Sequence, residues 1–423
     1  MANIKLGLIG FGTVGSGVYT LLDRNSALIN ERSGIDIAIK SICDLRADEI
    51  KKKVKNVNIT KNWKDIVNDP EIDTVIELVG GIEPAKSIVI EALTKGKNVV
   101  TANKKLLAEE GEAIFAAGNE SGSRIFFEAS VGGGIPCIQA LRDGMVGNRI
   151  ESVMGILNGT TNYILTRMED DGLSFADALK DAQQKGFAEA DPTFDIEGFD
   201  AAHKLAVVSR MAFSRKISFK TIPVEGITKI SKDDIIYARE MGFAVKLLGV
   251  SRLIGDKLDI SVRPAMISLK HLLASVRNEF NAIMFSGDMT GPVILYGKGA
   301  GSLPTASAVV SDVVQIALRG KANSKVEKAI VAAKLVESKD KMHRYYMRLS
   351  TLDSPGILSK ISGVLAKNNI SIASVKQKAE NTSYVPVIIM THRCSEKGML
   401  QSVQKINSFD FMENDITLIK IEE

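Results

Sequence analysis

The stretch Lys5-Leu6-Gly7-Leu8-Ile9-Gly10-Phe11-Gly12-Thr13-Val14-Gly15 decides the fold of the first part of this chain. A short apolar run leads directly into the pattern G-x-G-x-x-G, and a helical apolar pattern follows. This order is typical of a dinucleotide-binding βαβ unit. Gly10 permits the tight turn, Gly12 lets a pyrophosphate approach the backbone, and Gly15 lets helix and strand pack closely. The alternative interpretation is a glycine-rich turn that binds nothing.

Residues 1–135 alternate β-like runs with helical stretches, which predicts a parallel sheet with crossover helices. The β-like runs are 5–10, 36–43, 74–79, 98–101 and 124–128. Because right-handed crossovers bring the carboxyl ends of parallel strands to one edge, the turns at 80–81, 101–104 and 128–130 are expected to meet there. The sequence therefore predicts a ligand site at this edge.

The composition indicates an ordinary globular protein of two or three domains. Among 423 residues, 54 are basic and 50 acidic, which gives a net charge of +4 at pH 7. These charges form no arginine-rich run interleaved with aromatics, so nucleic acid is not an expected partner. No apolar run reaches the roughly 18 residues of a membrane span. Three separated cysteines, Cys43, Cys137 and Cys394, predict reduced thiols in a cytoplasmic protein.

The rest of the chain predicts two further domains. Residues 136–304 mix strand-like and long helical stretches, which predicts an α+β domain. Residues 305–322 have a helical pattern and are expected to pack back on the first domain, and 323–341 are interpreted as a linker. Residues 342–423 follow the order β-α-β-β-α-β, the ferredoxin-like motif. The predicted fold class is thus α/β, with a Rossmann-type domain at 1–135.

The segment 195–205 is the strongest candidate for chemistry. Asp200 and Lys204 are four residues apart and so share one face of a helix. An ordinary helix-surface salt bridge explains this pair equally well. His203 faces elsewhere and is interpreted as structural. Two more segments are candidates. In 155–163 a strand ends in small and amide residues that could bind a carboxylate or amine, and a simple turn with an N-cap is the alternative. In 128–136 one carboxylate precedes a glycine-rich loop suited to a monovalent cation, and a flexible hinge loop is the alternative.

Seven motifs in this order and spacing resemble homoserine dehydrogenases. They lie at 10–15, 101–104, 128–136, 155–163, 188–193, 200–204 and 297–305. The tail, with Asp353-Ser354-Pro355-Gly356-Ile357-Leu358, resembles an ACT domain, a small-molecule sensor. The resemblance implies an NAD- or NADP-dependent enzyme that interconverts L-aspartate 4-semialdehyde and L-homoserine, on the path to threonine, methionine and isoleucine. It also implies that 136–304 bind substrate and form a dimer.

Several residue roles follow from the resemblance alone. Lys204 is the implied proton donor, Asp200 and Glu189 are the implied substrate carboxylates, and Lys104 is the implied second lysine, with Lys105 as the alternative. The other implied substrate-binding residues are Gly155 and Thr160. The implied cofactor-binding residues are Gly10, Phe11, Gly12, Thr13, Val14, Gly15, Asp44, Arg46, Gly80, Lys104 and Gly301. Glu128 and the carbonyls of Val131, Gly133 and Ile135 match a structural sodium site.

One departure from the family concerns the end of the second strand. Many members carry an arginine there that pairs with the 2′-phosphate of NADP, whereas this chain has Cys43 followed by Asp44. Because an acidic residue at this position favours the ribose hydroxyls of NAD, we expect NAD to serve at least as well as NADP. Arg46 is close enough in sequence to contribute to NADP binding.

The tail implies regulation by a bound amino acid. Asp353 and Gly356 lie on the loop that holds such ligands in ACT domains, and threonine is the expected effector. A homodimer or homotetramer is expected, and a dimerisation module without a ligand is the alternative for the tail. Two other functions remain open from sequence: another ACT-linked amino-acid dehydrogenase, or a non-catalytic amino-acid sensor.

Overall fold

The computed structural model of the protein describes residues 2–319, 330–377 and 383–423. Residues 320–322 of the segment expected to pack back, and 323–329 of the predicted linker, lie outside these ranges. The strands are β1 (Ala2–Ile9), β2 (Ile35–Cys43), β3 (Asn58–Thr60), β4 (Thr74–Glu77), β5 (Asn98–Thr101), β6 (Ile125–Phe126), β7 (Ile150–Ile156), β8 (Arg215–Lys216), β9 (Phe243–Ile254), β10 (Lys257–Ser268), β11 (Phe280–Gly287), β12 (Gly291–Lys298), β13 (Val331–Ala332), β14 (Lys334–Leu335), β15 (Met342–Leu352), β16 (Ile372–Gln377), β17 (Tyr384–Thr391), β18 (Cys394–Ser395) and β19 (Thr417–Glu422).

The helices complete the element order. They are α1 (Thr13–Ser33), α2 (Ala47–Ile50), α3 (Trp63–Val67), α4 (Ala85–Thr94), α5 (Lys104–Ser121), α6 (Cys137–Gln139), α7 (Gly159–Asp170), α8 (Phe175–Gln184), α9 (Thr193–Ile196), α10 (Phe199–Phe213), α11 (Lys232–Glu240), α12 (Ser302–Arg319), α13 (Ile357–Lys367) and α14 (Glu396–Asn407). The chain divides into two compact units. The first contains 1–159, 200–222 and 280–333, and the second contains 160–199, 223–279 and 334–423.

A parallel sheet forms one part of the first unit. Its strand order is β3-β2-β1-β4-β5-β6, so the order reverses between β1 and β4, the point at which such sheets bind ligands. Helix α12 returns to this sheet, and its buried Ala306, Val309 and Val313 share a core with Leu6 and Val18. The predicted strand at 124–128 is shorter than expected, because Glu128 already begins a 3₁₀ turn.

An antiparallel sheet of β7, β11 and β12 forms a second part of the first unit. The sequence did not predict β11 and β12. Every residue of the edge strand β12 is exposed or half-exposed. This strand therefore lacks the alternation of apolar and polar residues that is typical of a strand with one buried face.

The second unit contains the tail and the long hairpin of β9 and β10. Within the tail the strand order is β19-β15-β17-β16, with α13 and α14 packed on a common core. This is the predicted ferredoxin-like arrangement. Strand β19 also pairs in parallel with β10 through Ala265, Met266 and Ile267, so the tail and the hairpin share one sheet.

The predicted fold class is confirmed: a Rossmann-type domain, an α+β part and a ferredoxin-like tail. The boundaries at 135, 304 and 341 stay a prediction, and residues 136–304 contribute to both compact units. Among the described residues, none of the helices is both long and apolar enough to span a bilayer.

Candidate active site

The glycine turn after β1 leaves room for a phosphate group. A Cβ at Gly10 would lie 2.6 Å from the Leu78 carbonyl oxygen, and one at Gly15 would lie 2.1 Å from the Gly10 carbonyl oxygen. At Gly12, by contrast, no heavy atom lies within 4 Å of that position. Gly12 is the N-cap of α1, and a helix N-terminus presents backbone N–H groups to anions. The turn therefore fits a dinucleotide pyrophosphate.

The other implied cofactor residues lie around this turn in the first unit. Thr13 and Val14 form the first turn of α1, and the Thr13 carbonyl accepts a hydrogen bond of 2.6 Å from the Ser302 hydroxyl. Gly301 therefore lies beside the glycine turn, with φ of +119°. Gly80 follows β4 with φ of +81°, a conformation that glycine adopts readily.

Asp44 follows β2, and its carboxylate is held by two neighbours. Phe11 donates its backbone N–H to Oδ2 at 2.8 Å, and Arg46 donates its backbone N–H and Nε to Oδ1 at 2.9 and 3.1 Å. Burial alone would raise the pKa of the Asp44 carboxyl, but hydrogen bonds from Arg46 and Phe11 lower it overall. A carboxylate and a guanidinium therefore lie together where NAD and NADP are distinguished.

A buried carboxylate that sequence reasoning missed organises the ends of β4 and β5. Glu77 is fully buried and accepts hydrogen bonds from the Val79 N–H at 2.8 Å and the Thr101 hydroxyl at 2.7 Å. Thr101 in turn accepts the N–H of Asn103, whose side chain caps α5 at Leu106. This network fixes the start of α5, where Lys104 lies. The signal in the sequence is one acidic residue inside an otherwise apolar strand.

Two lysines and one asparagine of the first unit meet at one carboxylate. The Asp200 Oδ2 atom accepts a hydrogen bond from Lys204 Nζ at 2.7 Å and one from Asn158 Nδ2 at 2.9 Å. Lys104 Nζ lies 3.0 Å from the Asp200 Oδ1 atom, whereas the Lys105 side chain is exposed. Lys204 also donates to the Leu157 carbonyl at 2.7 Å.

Burial and charge together determine the protonation of this cluster. Asp200 and Lys204 are only 4% and 8% exposed, so the surface salt bridge considered from sequence is excluded. Burial alone would raise the pKa of the Asp200 carboxyl, but the charges of Lys204 and Lys104 hold it well below its ordinary value. A buried ammonium fixed in this way stabilises negative charge that develops on a nearby oxygen.

His203 and Gly155 have structural explanations in the first unit. The His203 ring stacks on Phe219, and its Nε2 lies 3.3 Å from Glu109 Oε1, which links α10 to α5. Burial lowers the pKa of His203. Gly155 lies within β7, and a Cβ there would approach the Ala282 carbonyl oxygen to 3.0 Å.

The remaining implied substrate residues belong to the second unit. The Thr160 hydroxyl lies 2.6 Å from the Phe187 carbonyl oxygen and 3.1 Å from Asp195 Oδ2, which ties the start of α7 to the loop that carries Glu189. The Glu189 side chain is exposed. Asp353 and Gly356 also lie in this unit, on the exposed loop between β15 and α13.

The implied cation loop folds around a buried carboxylate. Glu128 accepts the N–H groups of Ile138 at 2.8 Å and Gln139 at 2.6 Å, at the start of α6. Burial raises the pKa of the Glu128 carboxyl despite these hydrogen bonds. The loop carbonyls of Val131, Gly133 and Ile135 are hard oxygen donors, so the donor set of this loop suits a hard cation such as sodium. Within the described ranges, no group of three or more His, Cys, Asp or Glu side chains forms a metal site.

Comparisons with known proteins cover nearly the whole chain. Residues 10–128 match the NAD-binding domain of homoserine dehydrogenase, 136–314 match the homoserine dehydrogenase domain, and 345–411 match the ACT domain. A homoserine dehydrogenase from Neisseria gonorrhoeae is 41% identical, over 100% of this chain and 99% of that protein.

Solved structures give the same result. The crystal structure of a homoserine dehydrogenase from Thiobacillus denitrificans has a TM-score of 0.94 and 41% identity, and covers 100% of this chain and 99% of its own. A hyperthermophilic archaeal homoserine dehydrogenase in complex with NADPH has a TM-score of 0.64 and 26% identity, over 76% of this chain and 100% of its own. The chain therefore belongs to the homoserine dehydrogenase family and is an NAD(P)-dependent oxidoreductase.

Proposed function

We propose that this chain reversibly reduces L-aspartate 4-semialdehyde to L-homoserine, with Lys204 as the proton donor, in the biosynthesis of threonine, methionine and isoleucine. The observation that carries the assignment of roles is the buried cluster in which one carboxylate, Asp200, binds both Lys204 and Lys104. A protein that only senses amino acids has no need of a buried proton donor.

The proton transfer follows from the hydrogen bonds of Lys204. When bound, the reduced cofactor supplies a hydride to the aldehyde carbon. An ammonium has three N–H donors, and Lys204 directs two of them to Asp200 and the Leu157 carbonyl. The third is available for the aldehyde oxygen, where it stabilises the developing alkoxide and then transfers its proton. In the reverse direction, neutral Lys204 accepts the proton of the homoserine hydroxyl.

The remaining charged groups suit the amino-acid end of the substrate. Lys104 is half-buried, its Nζ lies 3.0 Å from Asp200 Oδ1, and we assign it to the α-carboxylate. Glu189 is an exposed carboxylate and is assigned to the α-ammonium. Thr160 positions the loop of Glu189 through the Phe187 carbonyl. We also propose that Glu128, with the carbonyls of Val131, Gly133 and Ile135, holds a structural sodium ion.

The function and its cofactor are tested in one assay. With L-homoserine at alkaline pH, we expect the enzyme to reduce both NAD and NADP. Because the Asp44 carboxylate suits the ribose hydroxyls of NAD, we expect kcat/KM with NAD to be at least equal to kcat/KM with NADP. Initial rates from nicotinamide absorbance measure both. Absence of turnover with homoserine would contradict the function, whereas a hundredfold preference for NADP would contradict only the cofactor assignment.

We propose that threonine inhibits the enzyme through the ACT domain. Asp353 directly follows β15, and Gly356 begins α13 with φ of +88°. Five residues before Asp353, Arg348 binds the fully buried Asp234 through Nε at 2.7 Å and Nη2 at 3.1 Å. Asp234 also caps α11, which precedes β9. The effector loop is therefore connected within the second unit to elements outside the ACT domain.

Threonine sensitivity is tested with Asp353→Ala. We expect the threonine concentration for half-inhibition to rise at least tenfold, relative to the uninhibited rate of the same variant, because the loop loses its carboxylate. Asp415→Ala, which removes an exposed carboxylate before β19, is the matched control and should keep the original threonine response. The assignment would be rejected if threonine inhibited both variants at the same concentration as the unmodified enzyme. It would also be rejected if threonine did not inhibit the unmodified enzyme.

We further propose a homodimer or homotetramer in the cytoplasm. Strand β12 pairs only with β11 among the described strands, and it exposes Tyr296, so a second copy can add to this edge. Cys43, Cys137 and Cys394 are buried, unbridged thiols, as expected of a reducing compartment.

A further inference from the structure

Strand β9 carries a lysine that is completely buried and has no carboxylate partner. Lys246 is 0% exposed, and none of the described carboxylates lies within ion-pair distance of its Nζ atom. The nearby Glu169 is bound instead by Arg239 and Arg277, each at 2.7 Å. Burial lowers the pKa of Lys246 to about 8, and the charge of Arg277 adds to this shift. A lysine in such a place costs free energy that an apolar residue would not, so its hydrogen bonds indicate what it does.

Lys246 binds both the first turn of α7 and the loop before β11. Its Nζ donates to the Val276 carbonyl at 2.6 Å and to the Asn162 Oδ1 atom at 3.2 Å. Asn162 is itself buried, and it donates from Nδ2 to the Asn278 carbonyl at 2.9 Å. A lysine ammonium has three N–H donors and the neutral amine has two, so both contacts of Lys246 can form in either protonation state.

A second contact holds the same loop to α7 one turn further along. Asn278 has a φ of +55°, in the left-handed region, and donates its N–H to the Thr166 hydroxyl at 3.0 Å. Thr166 is also buried, and its hydroxyl donates to the Asn162 carbonyl at 2.7 Å. Hydrogen bonds therefore fix α7 against this loop, and Lys246 joins both of them to β9.

The first turn of α7 also holds the loop on which Glu189 lies. The Thr160 hydroxyl donates to the Phe187 carbonyl at 2.6 Å, and the centroid of the Tyr163 ring lies 4.7 Å from that of Phe187. Glu189 is two residues beyond Phe187. Because Asn162 lies between Thr160 and Tyr163 in the chain, a shift of Asn162 moves both contacts.

We propose that Lys246 is a positioning residue for the substrate. Through Asn162 it holds the first turn of α7, and this turn keeps the Glu189 carboxylate in place for the α-ammonium of homoserine. This role rests on the proposed function, which assigns Glu189 to that ammonium. Loss of Lys246 therefore weakens substrate binding, so that KM rises, while the chemical step at Lys204 changes little.

Steady-state rates with homoserine and NAD varied separately test this role on the full chain. In Lys246→Met we expect KM for homoserine to rise about tenfold, with kcat and KM for NAD within about threefold of the unmodified enzyme. Asn162→Leu should give a similar rise. Because the two side chains act through one contact, KM of the double variant should exceed that of either single variant by less than about threefold.

Lys420→Met is the matched control. Lys420 is another buried lysine of the second unit, and its Nζ lies 2.7 Å from Glu396 Oε1. Its loss should lower thermal stability and leave KM for homoserine within about twofold, because Lys420 lies in the tail, outside the hydrogen bonds of α7.

Three results would overturn the role of Lys246. One is an unchanged KM for homoserine in folded Lys246→Met, the second is an equal rise in Lys420→Met, and the third is a double variant whose effects multiply. If Lys246→Met does not fold, Lys246→Gln replaces it, because it keeps two N–H donors on a shorter side chain and should still raise KM more than about threefold. Failure of the proposed function would appear separately, as absence of turnover with homoserine in the unmodified chain.

Discussion

Replacing Lys204 by methionine is expected to lower kcat for homoserine oxidation by about a thousandfold. Methionine keeps much of the volume of the side chain but can neither accept the hydroxyl proton nor stabilise an alkoxide. Because Lys204 contacts Asp200 and the Leu157 carbonyl rather than a cofactor-binding residue, cofactor affinity should change little. Stopped-flow or steady-state rates, together with cofactor titration, measure the two effects separately.

Lys97→Met is the matched control for this substitution. Lys97 is also a buried lysine of the first unit, and it donates to the Ile72 carbonyl at 2.7 Å. Its loss removes a buried charge without touching the cluster, so it should affect thermal stability and leave kcat within about threefold. If Lys204→Met retained normal turnover, the assignment of the proton donor would be wrong. If both variants lost activity equally, the effect would report folding rather than chemistry.

Asp200→Asn is expected to reduce kcat/KM by about a hundredfold and the free energy of unfolding by about 3 kcal/mol. The substitution leaves Lys204 and Lys104 near each other without the carboxylate that both contact. Since both lysines lose the carboxylate that holds them in place, we expect the loss in kcat/KM while the affinity for the cofactor changes little. In the unmodified enzyme the depressed pKa of Asp200 keeps it ionised, so its contribution to stability is lost only as pH falls through that low pKa.

Asp234→Asn is the control for this substitution. It separates the catalytic role of Asp200 from the loss of stability that follows when any buried, paired aspartate loses its charge. Asp234 is fully buried and bound by Arg348, yet it belongs to the second unit. This substitution should lower the free energy of unfolding to a similar extent while kcat/KM stays within about threefold. An unchanged kcat/KM in Asp200→Asn would show that this carboxylate does not position Lys204 for proton transfer.

Much of the fold was predictable because local patterns carry it. The parallel sheet follows from apolar runs separated by helical stretches, and the G-x-G-x-x-G turn gives the position of its ligand edge. The tail was predictable from its βαββαβ order. Strand β12 was not, because its residues are exposed or half-exposed along its length and show no period of two.

The residues of the candidate site could be predicted from the sequence, but their arrangement in space could not. The four-residue spacing of Asp200 and Lys204 places them on one helix face whether that face is exposed or buried. The spacing therefore did not distinguish a surface pair from a buried one. Lys104 joins them from almost a hundred residues away, which depends on the packing of α5 against α10. Glu77 was missed because its role depends on contacts with Val79, just after its own strand, and with Thr101 on the neighbouring strand β5.

The pairing of β19 with β10 has a consequence for how the protein is made. Strand β10 ends at Ser268 and β19 begins at Thr417, so the two strands can pair only after the whole segment between them has been synthesised. Until then, the backbone groups of Ala265 and Ile267 are open to pairing with another polypeptide. Substitutions that slow the folding of the tail are therefore expected to lower the yield of soluble protein, even where they leave the folded tail stable.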